Sequence, residues 1–352
     1  MAKVLMKGNE AIGEAAMRAG LDAFFGYPIT PQSELPEYLS REMPARGKVF
    51  VQAESEVAAI NMIYGAAGAG ARVMTSSSSP GIALKQEGIT YIAGSELPCV
   101  ICSVGRSGPG LGGIQPGQAD YYQATKGGGN GDYHLLVYAP ANIQEMCDMI
   151  MEAFDKADYY RNPVMILADG MIGQMMEPVE FKELKKEREV PAWATTGTEG
   201  KRAPNIINSL YLNPEDLEEH NIHLTKKYDE MKEKEEQWEE YNLENAEVIC
   251  IAYGTTSRIV KNAIETLKDE GINVGLIRPK TLWPFPEKAF KEYPKTAKAI
   301  LVVEMSTGQM ITDVRAFNEG RLPVYFYGRS GGMIPTPEAV VAELRKIIEG
   351  GK

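Results

Sequence analysis

The chain has 352 residues, and its 37 lysines and arginines against 48 aspartates and glutamates give a formal net charge of −11. At about 150 residues per domain this length predicts about two domains, and the 44% of hydrophobic residues can form a sizeable core. The composition excludes disordered and fibrous classes. The acidic balance argues against a general nucleic-acid binder, which needs clustered positive charge.

Nothing in the sequence predicts a metal or redox site of the chain's own. The four cysteines are too dispersed for a disulfide framework or an iron–sulfur cluster: Cys99, Cys102, Cys147 and Cys250. Cys99 and Cys102 fall within one predicted strand, where residues three apart point to opposite faces. The histidines lack companion ligands and are interpreted as structural: His134, His220 and His223.

No secretory or transmembrane segment is visible. The N-terminal stretch is broken at Gly8 and Asn9 before a signal-peptide core can form. No apolar run approaches the roughly 20 residues that cross a bilayer. We therefore expect a reduced, cytoplasmic setting without a membrane.

The first part of the chain alternates short apolar strands with amphipathic helices. Strands are predicted at 23–26, 49–52, 72–75, 99–104, 134–138 and 164–168. Helices are predicted at 11–19, 55–69 and 143–160. Because the strands are apolar on both faces and helices separate them, they indicate a parallel sheet covered on both sides. The prediction for residues 1–180 is a doubly wound α/β domain.

The sequence pattern changes after residue 180. Residues 226–244 are densely charged at helical spacing, which favours a solvated helix over a dedicated partner site, and 181–245 is predicted to be a charged helical linker. The α/β alternation resumes with strands at 248–253, 274–278, 299–304 and 324–327 and a final helix ending near Glu349. Residues 246–352 therefore form a predicted second, smaller α/β domain.

Four distinctive loops follow predicted strands, and in open parallel sheets such loops carry ligand groups. In loop 26–31 two prolines restrict the backbone around Thr30, although a rigid turn explains them equally well. Glu56 begins an apolar helix. It is either a first-turn acid that complements the helix dipole or a buried, partly protonated general acid or base.

The other two loops offer hydroxyls and an arginine. Loop 75–81 carries a run of serines that can donate to a polar or anionic ligand or merely fill a loop. Loop 105–113 matches the dinucleotide pattern G-x-G-x-x-G, but Arg106 precedes the pattern and Pro116 follows where a helix should begin. Arg106 itself can clamp a carboxylate with its planar fork.

In combination these motifs resemble the 2-oxoacid:ferredoxin oxidoreductases, and specifically the α-type subunit with the pyrimidine-binding domain for thiamine diphosphate. The resemblance rests on Gly26-Tyr-Pro-Ile-Thr-Pro31, Glu56 with Gly65, the 75–81 loop, and Leu97-Pro-Cys-Val with Arg106. Segments 303–305, 308–310 and 335–338 are similar to that family's transketolase-C-like domain. Segments 52–61, 112–116 and 126–129 look closest to the branched-chain type, which acts on 3-methyl-2-oxobutanoate (2-ketoisovalerate).

The resemblance implies a role for each matching residue. Glu56 is the catalytic residue, which hydrogen-bonds N1′ of the aminopyrimidine and promotes loss of the thiazolium C2 proton. Thr30 and Arg106 bind the substrate, with Arg106 toward the 2-oxoacid carboxylate. The implied cofactor-binding residues are Tyr27, Pro28, Ile29, Ser79 and Gly81.

The departures from the family pattern imply partner subunits. The diphosphate–magnesium motif, Gly-Asp-Gly with a later Asn, has no credible copy, since Gly129-Asn-Gly-Asp132 lacks its order. Thiamine diphosphate and Mg²⁺ are therefore expected to be held with a β-type subunit. The [4Fe-4S] clusters belong to a ferredoxin-like subunit, beside a γ-type subunit, in a dimer of hetero-oligomers. The expected reaction converts a 2-oxoacid, coenzyme A and oxidised ferredoxin into acyl-CoA, CO₂ and reduced ferredoxin.

Three alternatives remain at this stage. The 2-oxoglutarate enzyme shares the Tyr-Pro-Ile-Thr-Pro loop but needs a second cation for its dicarboxylate substrate, for which Lys126 is the nearby candidate. A non-catalytic scaffold subunit would not need Glu56, Thr30 and Arg106, so their presence argues against it. An NAD-dependent dehydrogenase rests on the glycines after Arg106 alone.

Overall fold

A computed structural model describes residues 3–184 and 188–350. Its strands are β1 Val4–Lys7, β2 Ala23–Gly26, β3 Val49–Gln52, β4 Val73–Ser77, β5 Cys99–Gly105, β6 Leu136–Tyr138, β7 Pro163–Asp169, β8 Met176–Val179, β9 Trp238–Tyr241, β10 Val248–Ile251, β11 Val274–Pro279, β12 Thr281–Trp283, β13 Ala299–Glu304 and β14 Val324–Gly328. Its α-helices are α1 Gly8–Arg18, α2 Glu34–Ala45, α3 Glu56–Gly68, α4 Ser79–Gly94, α5 Tyr121–Thr125, α6 Ile143–Tyr160, α7 Gly170–Gln174, α8 Pro214–Lys234, α9 Gly254–Asp269, α10 Ile311–Asn318 and α11 Pro337–Ile348. A 3-10 turn spans Glu287–Phe290.

The larger sheet confirms the predicted doubly wound fold. Its seven strands run in the order β12-β6-β7-β5-β4-β2-β3, and they are parallel except for β12 at the edge. The central strands β4, β5 and β7 are buried along their whole length, as expected for a sheet covered on both faces. Helices α3 and α4 pack together as one layer, whereas α1, α2 and α6 form the other.

The smaller sheet has five strands in the order β14-β13-β10-β11-β9. Strands β10, β11, β13 and β14 run parallel, and β9 joins β11 in the antiparallel direction. The helical prediction for 226–244 is wrong beyond Lys234, where α8 ends. Strand β9 forms instead because it pairs along β11, and Glu239 reaches Arg278 Nε at 2.7 Å.

Two strand pairings could not be predicted from local pattern. Strand β1 pairs antiparallel with β8, with Val4 opposite Val179. Strand β12 follows β11 in the chain but adds to the larger sheet beside β6. The chain thus passes between the two sheets, and the domain limits at 180 and 245 stay predictions.

The side chain of Gln118 forms hydrogen bonds to segments that follow strands of the smaller sheet. Gln118 Nε2 donates to the Tyr253 carbonyl (2.9 Å), and Gln118 Oε1 accepts from Thr256 Oγ1 (2.7 Å) and Met305 N (3.0 Å). Of the helices that the structure describes, none has the length and apolar character needed to cross a membrane.

Candidate functional site

The four distinctive loops meet at one edge of the larger sheet. They follow β2, β3, β4 and β5, which are consecutive in the sheet order β5-β4-β2-β3 and mutually parallel. The carboxyl ends of parallel strands lie on the same side, so this edge collects the side chains that the loops carry.

Glu56 is buried where this edge meets α3. Ser55 caps the helix by accepting a hydrogen bond from Ala58 N (3.1 Å). The side chain of Glu56 lies against Gly81, the third residue of α4: a Cβ on Gly81 would lie 2.7 Å from Glu56 Oε1 and 2.0 Å from Ser77 Oγ. The carboxylate therefore requires glycine at position 81.

The Glu56 carboxylate is short of hydrogen-bond donors. The residue is only 6% exposed, yet no residue in the described part of the chain donates a hydrogen bond to its oxygens. Buried hydroxyls nearby are also without partners, on Thr75, Ser77 and Ser78. Because buried polar atoms are normally paired, this cluster fits a polar ligand such as an aminopyrimidine ring.

Arg106 connects two of the loops. Its Nη1 donates to the Thr30 carbonyl and its Nη2 to the Leu111 carbonyl, both at 3.0 Å. Its Nε is buried without a partner. The structure thus brings Thr30 and Arg106 together, but both terminal nitrogens are engaged by main-chain carbonyls. A substrate carboxylate would have to meet Nε or displace one of these carbonyls.

Ser79 and Asp120 lie beside Arg106. Ser79 Oγ accepts from Arg106 N at 3.0 Å and donates to Asp120 Oδ2 at 2.5 Å. Burial raises the pKa of Asp120 to about 6, although the hydrogen bond from Ser79 and the charge of Arg106 oppose the shift. Sequence analysis missed Asp120, because it lies in an irregular loop with no motif of its own.

A buried chain of contacts joins the proline loop to a lysine. Gln32 Nε2 approaches the Tyr27 carbonyl at 3.5 Å, and Ser76 Oγ donates to Gln32 Oε1 at 2.6 Å. The Ser76 carbonyl then accepts from Lys85 Nζ at 2.9 Å. Gln32 and Lys85 were also missed, although Lys85 is the one basic residue of α4 and that was an available signal.

The remaining predicted cofactor residues lie on the outer side of the proline loop. Tyr27 and Pro28 are exposed, and Ile29 is half-buried. Beside the exposed Thr30 lies a cavity of about 660 Å³. Apolar side chains from both parts of the chain contribute to its lining, including Pro31, Ile114, Met171 and Ile334. This cavity opens next to the proposed substrate residues.

Lys126 is not available as a substrate cation in this structure. Its Nζ forms an ion pair with Asp313 of α10, which also accepts a hydrogen bond from Tyr121. The positive charge is therefore neutralised within the chain. Among residues 3–184 and 188–350, no group of three or more potential ligand side chains is placed to hold a metal ion.

Two family profiles match the chain almost end to end. Residues 14–243 match the thiamine-diphosphate-binding domain of pyruvate flavodoxin/ferredoxin oxidoreductase. Residues 246–340 match core domain II of pyruvate:ferredoxin oxidoreductase.

Curated relatives give the same picture. Ketoisovalerate oxidoreductase subunit VorB of Methanothermobacter thermautotrophicus is 49% identical over 348 residues, which cover 99% of this chain and 98% of the relative. The 2-oxoglutarate synthase subunit KorA of Methanocaldococcus jannaschii is 34% identical over 380 residues, which cover 98% of this chain and 99% of the relative.

Solved structures agree with the fold. The 2-oxoglutarate:ferredoxin oxidoreductase of Magnetococcus marinus, with 2-oxoglutarate, coenzyme A and succinyl-CoA bound, superimposes with a TM-score of 0.88 at 28% identity. The match covers 99% of this chain but 65% of that chain. A split-gene transketolase superimposes with a TM-score of 0.60 at 15% identity, which reflects the fold alone.

Proposed function

Because the chain belongs to the pyruvate flavodoxin/ferredoxin oxidoreductase family, we propose that it is the α-type subunit of a CoA-acylating 3-methyl-2-oxobutanoate:ferredoxin oxidoreductase. The enzyme decarboxylates the 2-oxoacid oxidatively, transfers the acyl group to coenzyme A and reduces ferredoxin. The subunit contributes the half of the active site that receives the aminopyrimidine ring of thiamine diphosphate.

One observation carries this proposal: a buried carboxylate, Glu56, has no hydrogen-bond donor among the described residues. Thiamine diphosphate, when bound, supplies the carbon nucleophile for attack on the 2-oxo group. Glu56 holds the proton shared with the ring nitrogen, and Gly81 leaves space for its carboxylate. Tyr27, Pro28 and Ile29 of loop 26–31 and Ser79, the first residue of α4, are the other residues that we assign to cofactor binding.

Arg106 and Thr30 bind the substrate in this proposal. Arg106 is 7% exposed and retains one unpartnered nitrogen, Nε, for a carboxylate. Its other two nitrogens hold loops 26–31 and 105–113 together, so the substrate meets a preorganised edge. The carboxylate leaves as CO₂, so Arg106 orients the substrate but does not stabilise the later steps.

A branched apolar substrate is favoured over 2-oxoglutarate. The second carboxylate of 2-oxoglutarate needs its own cation, and Lys126 is already neutralised by Asp313. The cavity beside Thr30 is lined in part by Ile114, Met171 and Ile334, which suit an apolar group. The ketoisovalerate relative is also more similar to this chain than the 2-oxoglutarate relative, at 49% against 34% identity.

Partner subunits complete the enzyme in this proposal. Burial raises the pKa of the Cys99, Cys102 and Cys250 thiols to about 12, so they are poor cluster ligands. We assign Mg²⁺ and the cofactor diphosphate to a β-type subunit and the [4Fe-4S] clusters to a ferredoxin-like subunit. A γ-type subunit completes a cytoplasmic dimer of hetero-oligomers that reduces ferredoxin.

The layer of α3 and α4 offers a surface for the β-type subunit. Its outward side chains include large apolar ones: Val57, Leu84 and Tyr91 are 45%, 55% and 42% exposed. We propose that the β-type subunit covers these exposed apolar side chains. This layer also carries Glu56 and Gly81, so a subunit seated on it would close the cofactor site.

The test is substrate preference in the native complex. The chain would be affinity-purified with its partners, and CoA-dependent viologen reduction measured with 2-ketoisovalerate and with 2-oxoglutarate. We expect kcat/KM to be at least about tenfold higher for 2-ketoisovalerate, which corresponds to about 1.4 kcal/mol. A preference for 2-oxoglutarate would contradict the substrate assignment, and the absence of any 2-oxoacid-dependent reduction would favour a scaffold subunit.

A further inference from the structure

Lys85 is a fully buried lysine next to the candidate catalytic carboxylate. It lies one helical turn after Gly81 on α4, and its relative exposure is 0%. Side chains on a helix lean toward its N-terminus, which returns the Lys85 ammonium to the end of β4. There Nζ donates to the Ser76 carbonyl at 2.9 Å.

The Lys85 ammonium and the Glu56 carboxylate lie in the same buried region without a direct ion pair: Glu56 borders Gly81, and Lys85 lies four residues after Gly81 on α4. An ammonium has three donors, and within 3–184 and 188–350 the acceptor that Nζ reaches is the Ser76 carbonyl, which is neutral. Burial lowers the pKa of Lys85 to about 7, and attraction to Glu56 is the opposing influence. A lone buried charge is strongly unfavourable, so each of the two groups stabilises the other.

We propose that Lys85 is a positioning residue that acts through Glu56 by balancing the charge of its carboxylate inside the cofactor site. The inference rests on the proposed role of Glu56. It adds a third charged group to a site in which sequence analysis found Glu56 and Arg106. Through Ser76 and Gln32 the same lysine is connected to the proline loop that carries Thr30.

A purely structural role predicts a different pattern of mutant effects. If Lys85 only satisfies the Ser76 carbonyl, replacing it costs the same stability whatever residue occupies position 56. If Lys85 acts through Glu56, the two substitutions are coupled, because removing one charge leaves the other uncompensated. A double-mutant cycle with Lys85→Met and Glu56→Gln separates the two roles, since both substitutions keep the approximate side-chain size.

The experiment uses the reconstituted complex with four α-type chains: wild type, K85M, E56Q and the double variant. The first readout is the midpoint of thermal unfolding without thiamine diphosphate. We expect each single variant to unfold at a temperature lower by about 3 °C or more and the double variant to recover at least about half of the summed loss. Equal losses from K85M in both backgrounds would overturn the proposal.

The second readout is catalytic. K85M is expected to lower kcat about 10- to 100-fold, with KM for 2-ketoisovalerate within about threefold of wild type, and to slow deuterium exchange at C2 of the bound thiamine. In the E56Q background K85M should have no further effect on either rate. A wild-type kcat for K85M would overturn the inference while leaving the function intact, whereas a wild-type kcat for E56Q would overturn the proposed function itself.

Assembly provides a third comparison if K85M fails to join the complex. Recovery of assembly in the double variant would support the coupling, because neither charge is then left alone. If the double variant also fails to assemble, the coupling between Lys85 and Glu56 is contradicted. The role of Lys85 is then to satisfy the Ser76 carbonyl.

Discussion

Two buried glutamates, Glu56 and Glu304, behave in opposite ways. Glu304 ends β13 and is fully buried. Its Oε2 accepts hydrogen bonds from Ser306 Oγ (2.8 Å), Gln309 N and Met310 N (both 3.1 Å), and its Oε1 accepts from Ile311 N (3.1 Å). Glu304 is therefore a structural residue that organises the turn into α10.

Glu56 has similar burial without those partners. It starts α3 behind a capped N-terminus, but no described residue donates to its carboxylate, and the buried Lys85 lies on the neighbouring helix α4. Burial alone does not distinguish the two glutamates, whereas hydrogen-bond satisfaction does. A satisfied buried carboxylate stabilises its own chain, and an unsatisfied one is available to a ligand.

The same contrast separates two buried arginines. Arg278 uses Nη1 and Nη2 on the two carboxylate oxygens of Glu145 (2.9 and 2.7 Å) and Nε on Glu239. Arg106 has no carboxylate partner in the described chain, and its Nε is unpaired. Several unpartnered polar atoms, on Thr75, Ser77, Ser78 and Arg106, thus lie at the edge formed by the ends of β2 to β5, whereas Arg278 is fully paired.

The largest expected effect tests the two glutamates directly. Glu56→Gln should lower turnover about 100- to 10,000-fold, because the proton-holding group is lost, and should leave subunit assembly intact. Glu304→Gln should lower the free energy of unfolding by about 1–3 kcal/mol and leave the turnover of the folded enzyme near wild type. Steady-state viologen reduction by the two folded variants measures this contrast, and loss of turnover in Glu304→Gln but not in Glu56→Gln would refute it.

Replacing Arg106 and Arg278 by lysine tests the contrast between these two buried arginines. Arg106→Lys loses the planar fork that holds two loops together and that binds the substrate carboxylate in the proposed function. We expect KM for 2-ketoisovalerate to rise about 10- to 100-fold, or about 1.4–2.8 kcal/mol. Arg278→Lys is the matched control and should lower the unfolding temperature without changing KM. An unchanged KM for Arg106→Lys would place the substrate carboxylate elsewhere.

Asp120, which lies beside Ser79 and Arg106, gives a pH-dependent test of the edge where β2 to β5 end. Burial raises the pKa of Asp120 from 3.8 to about 6, so between these values the folded protein binds a proton that the unfolded chain does not. This contribution to stability is therefore lost as the pH rises from about 4 to about 6. The Asp120→Asn variant has no carboxyl group at this position to titrate, so it should not lose this stability as the pH rises.

The measurement is the unfolding temperature of wild type and Asp120→Asn between pH 4 and pH 8. The stability of the variant relative to wild type should increase with pH by at most about 3 kcal/mol. A relative stability that is constant across this range would show that Asp120 does not titrate in it.

The smallest effect is expected at Lys126, whose charge is already paired with that of Asp313. Its ion pair with Asp313 is half-exposed on the lysine side, at 46%. Lys126→Met should therefore cost less than about 1 kcal/mol in unfolding free energy. The kcat/KM for 2-ketoisovalerate should change less than about fivefold. A selective loss of activity with 2-oxoglutarate would instead show that Lys126 reaches the substrate.

Sequence analysis found the parts of the site that carry a local signature. Glu56 stands out at the start of an apolar helix, and Arg106 stands out at the end of an apolar strand. Because the parallel sheet could be predicted from apolar strands between helices, the convergence of their loops at one edge was predictable as well. The assignment of catalytic and binding roles remains a proposal for mutagenesis to test.

Lys85, Gln32 and Asp120 could not be found in this way. Gln32 and Asp120 are ordinary polar residues in their own segments, and their hydrogen-bond partners, Ser76 and Ser79, are more than 40 positions away. Lys85 carried a signal as the one basic residue of an otherwise uncharged or acidic helix, but only the folded chain shows that it is buried near Glu56. Strands β9 and β12 were missed for the same reason, since their pairing partners are distant in sequence.

The sequence by itself determined the doubly wound α/β class and the order of most elements, and its motifs carried the resemblance to the family, which in turn implied partner subunits. These follow from periodicity, from strand-end motifs and from the scarcity of cysteines, all of which are local or compositional. The tertiary structure decided which buried polar groups are satisfied. That distinction depends on distances between residues far apart in the chain, so only the folded molecule separates Glu56 and Arg106 from Glu304 and Arg278.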